Sequence, residues 1–167
     1  PYPHVRAGQD ELMAAVYRTV KRGTSLCAEA PTGIGKTVSV LYPAVRAMGD
    51  GACEKIFYLT PKGTTADAAE SALDDMAGRG VRIRAVRITA KEKICDRHAV
   101  CRESRGACDR QKTNRLADAA LSLWKSEDVT VGKEGLLRAA AAYGVCPYEL
   151  SLSYAELCDV VICDFNY

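Results

Sequence analysis

No apolar run in this sequence is long enough to cross a bilayer, and no secretory leader pattern is present. A membrane-spanning helix is therefore excluded, and no membrane partner is expected. There is no internal repeat and no low-complexity tract, so at 167 residues one domain with room for an insertion is expected. Eight cysteines are present, but structural zinc sites commonly use two close C-x2–4-C pairs, and only Cys158 and Cys163 stand that close. Residues 91–112 have almost no aliphatic side chains and no clean hydrophobic period. Such a stretch is either disordered or held by something other than a hydrophobic core. The chain opens on Pro1, not Met, and is expected to be a piece of something longer.

Net charge is only +2, but it is unevenly placed. Residues 79–115 hold 12 Lys/Arg against 4 Asp/Glu, a local excess of +8 on a body of −6. A basic segment on a mildly acidic body suggests a polyanionic partner, although a solvated face would read the same way.

The apolar residues 25–30 run into Ala30-Pro31-Thr32-Gly33-Ile34-Gly35-Lys36-Thr37. This is a phosphate-binding loop with Ala where the usual first glycine stands. Gly33 and Gly35 let the backbone present N–H groups to a polyphosphate without side-chain clash, with Thr32 and Ile34 completing the cradle. The helix that starts near Gly35 adds its N-terminal partial charge. Lys36 would meet the β- and γ-phosphates of ATP, and the Thr37 hydroxyl would hold Mg²⁺. These two are the expected catalytic residues.

In chain order, residues 10–20 are predicted helical, with Leu12, Val16 and Val20 on one stripe. Gln9, just before them, is either an adenine-reading side chain or a polar surface residue. Residues 24–28 are predicted as a first strand. The loop opens into a second helix carrying Val38, Leu41, Val45 and Met48, which Pro43 should kink or break. Further strands are predicted over 55–60, 81–88 and 160–163, the last apolar throughout and so buried on both faces. Further helices are predicted over 64–76, 116–124 and 133–143, and from Cys146-Pro147 onward. Alternating strands and helices argue for a parallel sheet covered by helices.

Cys95, Cys101, Cys108 and Cys146 follow the spacing C-x5-C-x6-C-x37-C, and Pro147 follows the last, as in many iron–sulfur ligand runs. Three of the four lie in the stretch that lacks a core, which four thiolates around one centre would supply. Zinc and unligated reduced thiols are the competing readings; His98 could replace one thiolate in either metal site, although a lone His in a basic loop is more often solvated or bound to phosphate. The nucleotide loop implies an intracellular setting, where disulfides are rare. Cys27 and Cys163 lie in apolar strands and are expected to be packing residues.

Together these motifs resemble the iron–sulfur branch of superfamily 2 DNA helicases, the XPD and DinG-like enzymes, most closely the bacterial members. The resemblance rests on Gln9 within Val-Arg-Ala-Gly-Gln-Asp-Glu and on Glu29-Ala-Pro-Thr-Gly-Ile-Gly-Lys-Thr37. It extends to Tyr58-Leu-Thr-Pro-Lys62, the run from Lys93-Ile-Cys95 to Cys146-Pro-Tyr-Glu-Leu150, and Asp159-Val-Val-Ile-Cys-Asp-Phe-Asn-Tyr167.

It implies a RecA-like P-loop lobe over residues 1–88, an inserted, mainly helical four-cysteine iron–sulfur domain over 89–150, and a return to the lobe over 151–167. It implies that Gln9 contacts adenine, that Thr60 and Lys62 touch DNA, and that Cys95, Cys101, Cys108 and Cys146 hold a [4Fe–4S] cluster. ATP, Mg²⁺ and single-stranded or forked DNA are the implied ligands, DNA repair the implied setting, and the bacterial cytoplasm and nucleoid the implied location. No Asp-Glu-Ala-His box is present, so the 167 residues by themselves are expected to turn over ATP poorly. The alternatives are a small P-loop kinase or nucleotidase, with Asp164 as Mg²⁺ ligand, and a zinc-stapled nucleic-acid module.

Overall fold

The computed structural model describes residues 6–61, 63–96 and 114–165. Lys62, His98, Cys101 and Cys108 lie outside them.

Helix α1 (Gln9–Arg22) buries Val16 from its apolar stripe, and α2 (Lys36–Gly49) follows the loop. Strand β1 (Ile56–Thr60), α3 (Gly63–Ala77) and β2 (Ala85–Arg87) come next, then the single turn α4 (Lys91–Ile94). Helix α5 (Arg115–Trp124), strand β3 (Thr130–Val131), helices α6 (Lys133–Tyr143) and α7 (Pro147–Leu157), and strand β4 (Val160–Asp164) complete the chain.

The four strands form one parallel sheet in the order β1-β4-β2-β3. Side chains alternate between the faces of a strand, so the register sorts them into two cores. Ala85, Val160 and Ile162 pack with Leu41 and Val45 of α2 and with Ala69, Leu73 and Met76 of α3. Val86, Val131 and Val161 pack on the other face with Leu123 of α5, Leu136 of α6, and Leu150 and Tyr154 of α7. The result is a sheet between two helical layers, the α/β architecture anticipated from the alternation of elements. Strand β4 is buried on both faces, as its unbroken apolar run implied. On β1, by contrast, Phe57 and Leu59 are 64% and 49% exposed.

Three expectations are corrected. Residues 24–28 are not a strand: among the described residues no segment pairs with them, and they are exposed, Leu26 and Cys27 included. A strand exists only where a neighbour satisfies its backbone groups, and apolar content alone does not supply one. Cys27 is consequently no packing residue, whereas Cys163 is buried in β4 as expected. Pro43 does not break α2, which runs from Lys36 to Gly49 with Pro43, Ala44 and Val45 all buried. The strand expected over 81–88 shrinks to Ala85–Arg87, and β3 adds a two-residue strand at the sheet edge that no period announced.

The junction between α7 and β4 is held from a distance. Lys55 Nζ donates to the carbonyls of Ala155 at 2.6 Å and Glu156 at 3.2 Å, and also to that of Cys158. These carbonyls belong to the last turn of α7 and its C-cap, Cys158, where the helix carries partial negative charge; that of Ala155 also accepts the Cys158 N–H at 3.3 Å. Lys55→Met keeps the length of the side chain and removes the donor. It is expected to lower stability by about 1–3 kcal/mol, read as a reduced urea midpoint at unchanged slope.

Candidate nucleotide and nucleic-acid site

The phosphate-loop sequence folds as its glycines require. Gly33 and Gly35 have φ of 84° and 86°, in the left-handed region that disfavours other residues. Gly35 is the N-cap of α2, and no side chain caps that helix. Its first N–H groups are thus left for an acceptor from outside. Ser39 ties the first turn down, its Oγ donating to the Gly35 carbonyl at 2.9 Å.

Lys36 is exposed and turned back on the loop, its Nζ donating to the carbonyls of Ala30 at 2.5 Å and Pro31 at 2.8 Å. Thr32 is exposed, Ile34 is buried, and Thr37 is half-buried in the first turn of α2. The start of α1 lies against this loop. A Cβ on Gly35 would stand 3.2 Å from Gln9 Nε2, and one on Gly8 would stand 3.4 Å from Ile34 Cδ1. Gln9, which the sequence leaves open between a ligand contact and a surface residue, is thereby brought beside the loop.

A second feature sits at the carboxyl ends of the strands, where open α/β sheets receive ligands. A crevice of about 490 Å³ lies beyond β1, β4 and β2. Its polar lining includes Arg87, Lys91, Lys93 and Tyr148 together with the acidic Glu92 and Asp164. Lys91 Nζ stands 5.5 Å from the centre of the Tyr148 ring and 3.9 Å from Glu149 Oε1. Thr60 lines this crevice but is 3% exposed, with Oγ1 directed at the Cys163 carbonyl at 3.5 Å. It shapes the floor; of the cations around it Lys93 is exposed, while Arg87 and Lys91 are half-buried and held by carboxylates. Cations around an aromatic ring at the mouth of an open crevice suit a single-stranded polynucleotide, whose phosphates need charge and whose bases need a flat apolar surface.

The cysteines of the ligand set fall at helix ends. Cys95 follows α4 directly and is half-buried; Cys146 is the N-cap of α7 and 1% exposed. The Lys91 contacts to Tyr148 and Glu149 bind α4 to the first turn of α7, which brings the two thiols into electrostatic range of each other. Burial raises the Cys146 thiol above its ordinary range. Backbone N–H groups of Glu149 and Tyr148, directed at the sulfur, oppose that rise, and nearby Cys95 adds to it. Amide donors at a helix start stabilise a thiolate, the form that binds metal. Cys101 and Cys108 are outside the described residues. Among those described, no group of three or more His, Cys, Asp or Glu side chains converges as a metal site. Cys158 is an inert packing thiol: burial pushes it up to about 12.

The sequence reading missed Arg6, Tyr148 and Glu70 as individual residues, and Arg87 stood there only as one of many basic residues. Arg87 connects the crevice to α3, donating to Asp67 Oδ1 at 2.5 Å, with Glu70 Oε2 at 3.5 Å. Its place at the end of β2, a residue after a buried Val, is a signal a strand reading could have used. Nothing local marks the other three.

No family model matches this sequence. Forty-five residues are 47% identical to a probable ATP-dependent helicase of Methanocaldococcus jannaschii, a match covering 27% of this chain and 7% of that protein. The chain is thus similar over a short segment to a helicase far longer than itself.

Glu70 makes one electrostatic consequence measurable. Its Oε1 is buried without a hydrogen-bond partner, and burial raises its pKa; Arg87 opposes the rise, while Asp67 and Asp74 add to it. A carboxyl with a raised folded pKa holds its proton more tightly in the folded state. Its contribution to stability is therefore full below the unfolded pKa and lost as pH rises through the folded one. Glu70→Gln is expected to flatten that fall, seen in chemical denaturation midpoints across pH 4 to about 8.

Proposed function

We propose that this chain is part of an ATP-dependent DNA helicase motor that binds ATP–Mg²⁺ at the Gly33–Thr37 loop and single-stranded DNA along the strand-end crevice. The observation that carries the reading is the loop itself. Two left-handed glycines lead into an uncapped helix with Lys36 at its first turn, and Gln9 is docked beside them. The short likeness to a probable ATP-dependent helicase supports the same reading.

On this reading the α2 N-terminus and Lys36 stabilise the charge of the phosphates, Thr37 holds Mg²⁺, and Gln9 selects the base. Phosphate entry exchanges the Lys36 contacts with Ala30 and Pro31 for contacts with the nucleotide. Arg87, Lys91 and Lys93 neutralise DNA phosphates, and Tyr148 offers a stacking surface at the same mouth. Thr60 forms the floor, and Lys62, two residues after it in the sequence, is the second residue proposed to touch DNA.

Cys95, Cys101, Cys108 and Cys146 are the set that would hold a [4Fe–4S] cluster. Cys95 directly after α4 and Cys146 at the N-cap of α7, on two helices joined by the Lys91 contacts to Tyr148 and Glu149, suit two of its ligands. Such a cluster would supply the local core that residues 91–112 lack. Because no Asp-Glu-Ala-His box is present, ATP turnover by these 167 residues alone is expected to be slow. A small P-loop kinase or nucleotidase is the second reading, favoured by Asp164 at the end of β4 in the crevice.

Titration calorimetry with a non-hydrolysable ATP analogue tests the first reading. Lys36→Ala is expected to weaken binding at least about tenfold; unchanged affinity would remove the nucleotide assignment. Efficient phosphotransfer by the 167-residue chain would favour the kinase. For the thiols, anaerobically purified protein is expected to be brown with iron and sulfide in equal amounts, and a colourless protein with stoichiometric zinc would replace the cluster by a zinc staple.

A further inference from the structure

We propose that Arg6 is a positioning residue of the phosphate loop, holding the Gly33 carbonyl so that the next amide faces the nucleotide; this rests on the phosphate-loop reading above. Arg6 and Gln9 are joined in one turn. Gln9 N–H donates to the Arg6 carbonyl at 3.0 Å, and Arg6 N–H donates to Gln9 Oε1 at 3.1 Å. Gly8, left-handed at φ 76°, closes the turn and comes close to Ile34. From this base the Arg6 guanidinium reaches across 27 residues of chain and donates through NH1 to the Gly33 carbonyl.

The consequence follows from peptide geometry. There are no cis peptide bonds among the described residues, so the Gly33–Ile34 unit is trans and its C=O and N–H point in opposite directions. Fixing the carbonyl on Arg6 directs the Ile34 N–H to the other side of the loop. A glycine at φ 84° has no side chain to set that plane, and the unit could otherwise rotate at little cost. Ile34 is buried, so its side chain resists the rotation as well. A cradle with one amide turned away would lose a donor to the polyphosphate. Arg6 thus acts on the phosphate end of the site and Gln9 on the other, from the two ends of one turn.

The two roles separate by ligand. Arg6→Ala, Arg6→Lys, Gln9→Ala and Lys36→Ala are compared with the unaltered chain by calorimetry, using non-hydrolysable analogues of ATP and GTP. Circular dichroism and thermal melts confirm that each variant is folded. Arg6→Ala is expected to weaken both analogues by about tenfold, the scale of one hydrogen bond to a charged group, with their ratio unchanged. Arg6→Lys should recover most of the loss, because an ammonium can still donate to Gly33. Gln9→Ala should change the ratio instead.

The proposal fails if Arg6→Ala binds both analogues within twofold of the unaltered chain while Lys36→Ala loses them. It also fails if Arg6→Ala shifts the ATP-to-GTP ratio as Gln9→Ala does, which would assign Arg6 to the base. If the folded, unaltered chain binds neither analogue, the phosphate-loop reading falls and this inference falls with it.

Discussion

Burial of β4 on both faces is the constraint on which the architecture depends. Val160, Val161, Ile162 and Cys163 leave no polar side chain to face water. Such a strand is stable only where a neighbour stands on each edge and a helical layer covers each face. Its neighbours are β1 and β2, and its two side-chain rows enter the two cores. Because β1, β2 and β4 run parallel, their carboxyl ends gather Thr60, Arg87 and Asp164 into one crevice. The position of the polar rim is thus a consequence of packing an apolar strand in the middle.

Helix ends supply much of the remaining chemistry. The start of α2 is uncapped beside two left-handed glycines, the start of α7 directs amides at the Cys146 sulfur, and the end of α7 is closed by Lys55. At the two ends of α7 unmatched backbone dipoles meet a charge or a polarisable atom of the favourable sign, whereas the start of α2 meets no side-chain cap among the described residues.

The sequence made the repetitive features legible. Helices α3, α5, α6 and α7 were readable from apolar period and stop signals, and β4 from its unbroken hydrophobic run. It misled where apolar content was taken as sufficient for a strand. Residues 24–28 are apolar enough, but no neighbour among the described residues pairs with them, and Leu26 and Cys27 are exposed. Strand β3 is the converse: two residues too short for any period become a strand because Ala85 and Val86 offer them an edge. Pro43 marks a third limit, since a helix held by burial on one side of the sheet absorbs a residue that local rules would use to end it.

By itself the sequence determined the glycine-rich turn, the helix that follows it, and the identity of the β4 strand, because these depend on neighbours a few residues apart. Tertiary structure alone decided that Gln9 and Arg6 reach Gly35 and Gly33, that Cys95 and Cys146 come near each other, and that Tyr148 shares a crevice with Arg87. Those juxtapositions join residues 26 to about 60 positions apart, and no local period encodes them. The pairing at the crevice arises when the parallel register around β4 is set, and the contacts of Arg6 and Gln9 arise from the packing of α1 beside α2.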